Sequence, residues 1–237
     1  MRYDKEVLLY LGGINLLFNA LRAGRMRDTL IILAISLPAV LLCLSIHEAC
    51  HGLAAWLLGD RTAEDAGRLT IDPFAHIDPM GFLCMFVFGF GWARPVPVNT
   101  ARFRMKNRKL GMALTAIAGP LSNFVLSFLM CCVYLLLVYR VGVSNPILEA
   151  IMLFCLYTAS LSVGLGAFNL IPLYPLDGSH ILDMFLPFKW QVKLQQHHQL
   201  LVLALLAIVW FGGLDRGIDW IFSGIQNLAI LAISPLL

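Results

Sequence analysis

Long apolar stretches without charged residues alternate with short polar segments along most of the chain. Five such stretches contain no Asp, Glu, Lys or Arg: residues 29–46, 110–139, 150–176, 199–214 and 220–237. Most are long enough to span about 30 Å of hydrocarbon, which takes about 20 helical residues. The pattern predicts an all-α polytopic membrane protein with about four to six transmembrane helices.

Glycine and proline set the expected ends of these helices. The first long helix is predicted over residues 28–58, where Gly59 ends it, and Pro38 is expected to kink it. Further helices are predicted over residues 110–139, 146–170, 199–214 and 218–235. No repeat or soluble insertion interrupts the pattern, so residues 28–237 are predicted to form a single membrane domain.

Residues 1–27 are predicted to form an N-terminal anchor or interfacial segment. The run over 7–21 is apolar, but it contains two glycines and is followed by three arginines. These features make a cleaved signal peptide a poor interpretation.

Residues 67–99 differ from the helices on either side. Their uncharged part, residues 79–93, has only 15 residues and includes three glycines, which is short for a span and unsuited to a long helix. We expect a re-entrant loop with short β-strands at 69–71 and 95–99. Irregular backbone at membrane depth is tolerated where protein or a water-filled cavity covers it, so this segment is expected to lie beside a site.

The composition excludes several classes of protein. Hydrophobic residues make up 59% of the chain and charged residues 13%, against about 25% charged in a soluble domain. A soluble enzyme, a disordered chain, a disulfide-stapled secreted domain and a sequence-reading nucleic-acid binder are therefore ruled out, and no nucleic-acid partner is expected. The net charge of +3 says little about partners.

The motif His47-Glu48-Ala49-Cys50-His51 stands near the end of the first predicted helix. Positions i and i+4 share one helical face, so both imidazoles can bind one zinc ion while Glu48 acts as a general base. With this composition, chance gives the pattern only about 0.003 times in a chain of this length. A carboxylate deep in a membrane helix costs about 2.5 to 3.5 kcal/mol, which a nearby metal can offset. The plain alternative is a set of hydrogen bonds to neighbouring helices.

A catalytic zinc site takes three protein ligands and leaves the fourth position for water. Cys50 lies three residues after His47, but a thiolate from the same helical turn would strain tetrahedral geometry. Asp177 is the better candidate, because prolines break the preceding helix and Gly178 permits a turn that can deliver it. The predicted site is therefore His47, His51 and Asp177 around one Zn²⁺ per chain.

With these residues, the chain closely resembles the site-2 protease family of intramembrane zinc metalloproteases. The resemblance covers roughly residues 28–200 and is carried by the His-Glu-x-x-His motif and by residues 91–99, 118–123 and 169–178. It implies zinc ligands at His47, His51 and Asp177 and a catalytic acid/base at Glu48. It also implies supporting roles for Asn123 and Asn169, although such asparagines often only hydrogen-bond a neighbouring helix. For His180 a hydrogen-bonded loop residue is favoured over a spare metal ligand or proton-relay group. The same two interpretations are open for His76.

The resemblance also implies the activity. It is hydrolysis of peptide bonds in or near transmembrane segments of membrane-protein substrates, as in regulated intramembrane proteolysis, with the lipid bilayer as surroundings. A substrate held as an added strand along 69–71 or 95–99 would expose its peptide bonds. The alternatives are a catalytically inactive membrane scaffold and a metal or ion transporter. Intact Glu48 argues against the first, and the lack of a second row of intramembrane carboxylates argues against the second. The oligomeric state stays open.

The distribution of basic residues predicts the orientation in the cell membrane. Six lie between positions 94 and 109: Arg94, Arg102, Arg104, Lys106, Arg108 and Lys109. The positive-inside rule places this segment in the cytosol, and the multi-pass chain then carries its active site towards the cytosolic side. Three arginines between positions 22 and 27 favour the opposite orientation, but the geometry required by the site takes precedence.

Overall fold

A computed structural model describes residues 26–88, 92–142 and 145–236. The predicted N-terminal segment over 1–27 lies almost entirely outside these ranges. Gly91, the first residue of one family-like segment, also lies outside them.

Helices form almost all of the regular structure in the described ranges. In chain order they are α1 (Met26–Leu57), α2 (Thr62–Asp65), α3 (Pro73–His76), α4 (Pro79–Phe88), α5 (Arg108–Leu136), α6 (Pro146–Asn169), α7 (Asp177–Asp183), α8 (Phe188–Gln196), α9 (His198–Trp210) and α10 (Asp215–Ile233). A π-helical turn, Leu137–Val141, extends α5, and 3-10 turns lie at Thr100–Arg102 and Ser234–Leu236. The described residues contain no β-strand, and the predicted all-α class is confirmed.

Three helical segments are long and apolar enough to cross a membrane: Leu33–Leu57, Arg108–Val141 and Pro146–Asn169. A fourth is possible by length and composition if α8 and α9 are counted as one span bent by 64°. The described part of the chain thus holds three or four candidate spans, against the four to six predicted.

The ends of the long helices follow from local sequence. Gly59 has a φ of 104°, a conformation that glycine adopts without a Cβ penalty, and it follows α1 as predicted. The Asn107 and Asn145 side chains accept hydrogen bonds from backbone N–H groups in the first turns of α5 and α6. The three long helices begin and end within three residues of the predicted positions.

Helix α5 is central to the packing. It lies against α6, α1, α10 and the short α7. Small buried residues let these helices approach closely: Cys131 of α5, Ala159 of α6 and Ala229 of α10 form a common cluster. At the other end of α5, the same arrangement brings α1 and α7 together around its first turns.

The predicted strands at 69–71 and 95–99 are not formed. Instead α3 and α4 occupy most of residues 73–88, and an extended stretch over 92–99 follows. A single antiparallel bridge, between Ile77 and Ala93, links the two parts. The expectation of short β-strands is therefore wrong for the described residues.

The extended stretch has too few free backbone donors to join a ladder. Pro95 and Pro97 have no N–H group. The N–H groups of Arg94, Val96 and Asn99 donate to His76 O, Glu48 Oε2 and Asp60 Oδ2, respectively. The stretch is thus docked on α1 and its surroundings rather than on a neighbouring strand.

Candidate metal centre

Three side-chain atoms from α1 and α7 meet in a nearly equilateral triangle. His47 Nε2 lies 3.0 Å from His51 Nε2 and 3.1 Å from Asp177 Oδ2, and His51 Nε2 lies 3.2 Å from Asp177 Oδ2. Both histidines are buried, and Asp177 is partly buried. The fold therefore brings together the three residues that the sequence predicted as ligands.

Local structure explains how Asp177 arrives there. It is the first residue of α7, which begins after the proline-rich turn that follows α6. A Cβ on Gly178 would lie 2.3 Å from the carbonyl oxygen of Leu170 and 2.5 Å from that of Ile171. The absence of a side chain at Gly178 thus lets the start of α7 pack against the end of α6.

The donor set and its spacing fit one zinc ion. Zinc bonds of about 2.0 to 2.1 Å in a tetrahedron put neighbouring ligand atoms roughly 3.3 Å apart, close to the sides of this triangle. Burial alone would raise the pKa of the Asp177 carboxyl, but the adjacent His47 and His51 side chains hold this pKa below its ordinary value. Asp177 is thus the anion that a ligand must be. Among the described residues the group contains no fourth side chain, so one position is left for water.

The tautomer of His51 is set by its second nitrogen. Its Nδ1 lies 2.8 Å from the carbonyl oxygen of Thr115 on α5. A carbonyl oxygen only accepts, so Nδ1 carries the proton and Nε2 presents its lone pair to the centre of the triangle.

Asn123 lies beside the second nitrogen of His47. It is fully buried, and its Nδ2 lies 3.1 Å from His47 Nδ1, while its Oδ1 has no partner. When Nε2 of His47 binds a metal, Nδ1 carries a proton and requires an acceptor. A 180° rotation of the amide presents Oδ1 to that proton as the acceptor.

Asn123→Ala is expected to weaken zinc binding by about tenfold to a hundredfold, because His47 loses the group that orients it. Zinc titration of the purified protein against a competing chelator measures the change. Ser127→Ala is a matched control, because Ser127 is also fully buried and lies one turn further along α5. Equal zinc affinity in Asn123→Ala and in the parent protein would contradict this role.

Gly119 lets α5 approach the two imidazoles. A Cβ at this position would lie 2.4 Å from His51 Nε2 and 2.8 Å from His47 Cε1. No side chain fits there without moving the histidines. Gly119 was not singled out by the sequence, although it belongs to the family-like segment over 118–123.

Glu48 does not belong to the group of three ligand atoms. Its Oε2 accepts a hydrogen bond from the Val96 N–H at 2.9 Å. The carboxylate is therefore oriented by the extended stretch over 92–99 rather than by the three ligand residues.

The remaining candidates lie outside the triangle. The Asn169 amide donates to Leu165 O of its own helix at 3.0 Å, and His76 Nε2 donates to Thr70 O at 2.8 Å. Burial lowers the pKa of His180, whose ring packs edge-on against Tyr174. Cys50 does not belong to the group of ligand atoms.

Comparisons with known proteins give the family. The family sequence model of peptidase family M50 matches residues 141–212. A relative from Bacillus subtilis (strain 168), named "Putative zinc metalloprotease YwhC", is 40% identical over 156 residues, which cover 64% of this chain and 69% of the relative. The chain belongs to peptidase family M50. The resemblance to site-2 proteases is thereby confirmed.

More distant relatives extend over a larger part of this M50 protein. Relatives named Rip2 from Mycobacterium tuberculosis (strain ATCC 25618 / H37Rv) and Mycolicibacterium smegmatis are 28% and 27% identical. The matches cover 83% and 81% of this chain and 76% and 75% of the relatives, respectively. No solved structure matches. The M50 protein is thus a metalloprotease with zinc as its cofactor, as predicted.

Proposed function

We propose that this M50 protein is a multi-pass intramembrane endopeptidase that cuts other membrane proteins in or near their transmembrane segments, as in regulated intramembrane proteolysis. The position of the triangle within an apolar helix carries the proposal. His47 lies 14 residues after the first residue of the candidate span Leu33–Leu57, or about 21 Å along the helix. A peptide bond cleaved there must reach membrane depth, so the substrates are membrane proteins and the lipid bilayer surrounds the reaction.

The side chains divide the work. His47, His51 and Asp177 hold the zinc ion, which supplies Lewis acidity to activate a water molecule and to polarise the scissile carbonyl. Glu48 takes a proton as general base and later gives it to the leaving amine. Asn123 orients His47, and Asn169 is the last residue of α6, before the turn that leads to Asp177.

The substrate must be unwound before it is cut, since a helix hides its peptide bonds in hydrogen bonds to residue i−4. Exposed apolar side chains within residues 67–99 suit contact with an apolar segment. Ile71 is 70% exposed, Phe74 83% and Trp92 51%. This surface replaces the predicted strands as the substrate contact that we propose.

The test is cleavage of single-span peptides by the full chain in lipid vesicles, with the cut positions mapped by mass spectrometry. We expect cuts inside or next to the apolar segment that stop after chelation and return with zinc. Cleavage of soluble peptides alone would contradict intramembrane action. Zinc flux across the vesicle membrane without cleavage would favour the transporter, and zinc binding with neither activity would favour the scaffold.

We also propose that the active site lies towards the cytosolic side of the cell membrane. The basic segment over 94–109 directly precedes α5. Thr115, whose carbonyl accepts from His51, lies seven residues after Arg108, so the centre is about 10 Å from the basic end of α5. The arrangement supports placing the basic segment and the active site on the same side of the membrane.

Cysteine labelling on intact cells tests this orientation. In a background without the six native cysteines, Lys106→Cys is expected to react with a membrane-impermeant reagent only after permeabilisation. Val141→Cys, at the far end of the extended α5, is expected to react without it. Labelling of Lys106→Cys from outside would reverse the proposed orientation.

A further inference from the structure

The extended stretch over 92–99 offers Glu48 one backbone donor. The Val96 N–H donates to Glu48 Oε2 at 2.9 Å, and Val96 itself is buried. The residues on either side, Pro95 and Pro97, have no N–H group. Within residues 95–97, Val96 therefore supplies the sole amide proton, and that proton is committed to Glu48.

The same peptide group is bound from its other side by a buried cation. Arg68 is only 8% exposed, and its guanidinium nitrogen Nη2 donates to Arg94 O at 2.6 Å and to Pro95 O at 3.4 Å. Pro95 O and Val96 N belong to one peptide group. A continuous chain of hydrogen bonds thus runs from the Arg68 guanidinium through this peptide to the Glu48 carboxylate.

Such a chain strengthens the bond to Glu48. Hydrogen bonds in series polarise one another, and a bond with an ionised partner is stronger than a neutral one. A cation at the carbonyl end makes the N–H a better donor, and the carboxylate is an anionic acceptor. One oxygen of Glu48 is then fixed, which leaves the other oriented for proton transfer.

We infer that Arg68 is a positioning residue that acts through the Pro95–Val96 peptide to fix the Glu48 carboxylate. The inference rests on the proposed function, in which Glu48 is the base. Both ends of the stretch are held independently of this chain: Arg94 N donates to His76 O at 2.8 Å, and Asn99 N donates to Asp60 Oδ2 at 2.6 Å. Interrupting the chain is therefore expected to leave the stretch docked.

The kinetic test interrupts the chain at two points. Arg68→Met removes the cation, and Val96→Pro removes the amide proton within an already proline-rich stretch. For each we expect kcat to fall by about tenfold to a hundredfold, the scale of a misplaced reacting group, with KM and zinc content unchanged. Arg68→Lys, which keeps the charge, is expected to restore part of kcat. Val98→Pro makes the same change two residues further along, at a position that takes no part in this chain of hydrogen bonds. It is expected to behave like the parent protein.

Hydrogen exchange of the Val96 amide gives a readout that does not depend on activity. Exchange is expected to be slow in the parent protein and in Glu48→Gln, whose amide oxygen still accepts. It is expected to be fast in Glu48→Ala and faster than the parent in Arg68→Met. Slow exchange in Glu48→Ala would show that the Val96 N–H is not protected by a hydrogen bond to Glu48.

The outcomes separate this inference from the function on which it rests. Cleavage by Glu48→Gln would overturn Glu48 as the base, whatever the exchange rates are. Inactive Glu48→Gln together with parental kcat in both Arg68→Met and Val96→Pro would overturn the positioning role alone. A raised KM or lost zinc in Arg68→Met and Val96→Pro, with parental kcat at saturation, would show that Arg68 only maintains the structure of the loop.

Discussion

Glu48→Gln is expected to abolish peptide-bond cleavage while the zinc content stays near one ion per chain. Glutamine keeps the size of the side chain and can still accept the Val96 N–H, but it cannot take a proton at neutral pH. The three ligand residues are unchanged. Because general acid/base catalysis contributes about a hundredfold to ten-thousandfold, the remaining activity is expected to be at or below about 1%. Metal analysis and a transmembrane-peptide cleavage assay on the same preparation measure both quantities.

Two further variants make this result specific. Glu64→Gln changes an exposed carboxylate that pairs with Arg61 and Trp56, and it is expected to leave cleavage and zinc content unchanged. Asp177→Asn is expected to fail in the opposite way, with zinc lost together with activity, because it weakens one of the three protein bonds to the metal in the proposed site. Substantial cleavage by Glu48→Gln would contradict the assignment of the base.

Helices were predictable where the signal lies within one stretch of chain. The long helices are uncharged runs, and Gly59, Asn107 and Asn145 act at their ends through their own backbone or side chain. Helix α8 was not predicted, because it is short and polar on one face, and its spacing gives no apolar run. The strand predicted at 95–99 is not formed because its amide protons bind groups distant in sequence, Glu48 and Asp60.

In the candidate site, too, the features set by local sequence were predictable and those set by helix packing were not. His47 and His51 share a helical face by local geometry, and the prolines before Asp177 predict a turn, so both features could be predicted from the sequence. The contact of Asn123 with His47 and the approach of Gly119 depend on how α5 packs on α1, which the sequence of α5 does not reveal. Glycine is common in packed membrane helices, so nothing about Gly119 alone separates it from Gly164. The role of Arg68 could not be predicted from the sequence either, because its partners are carbonyl groups of the distant residues 94 and 95.

Gly119→Ala is expected to remove most of the zinc and to lower cleavage by at least about a hundredfold. The added methyl group would overlap the imidazoles, at 2.4 Å from His51 Nε2 and 2.5 Å from His51 Cε1. Real Cβ contacts are not found below 3.0 Å, so either the helix or the histidines must shift. Both histidines are tied to α5 through Thr115 O and Asn123, so a shift of α5 also moves the groups that orient them.

Gly164→Ala is the matched control for this change. It makes the same substitution in the transmembrane candidate α6, at a position where a Cβ would meet nothing within 4 Å. Comparable expression and melting temperature of the two variants in detergent would show that the effect of Gly119→Ala is local to the metal centre. Zinc content is measured on both proteins, and cleavage is measured before and after added zinc. Parental zinc content and cleavage in Gly119→Ala would show that α5 does not press against His47 and His51 as closely as this geometry requires.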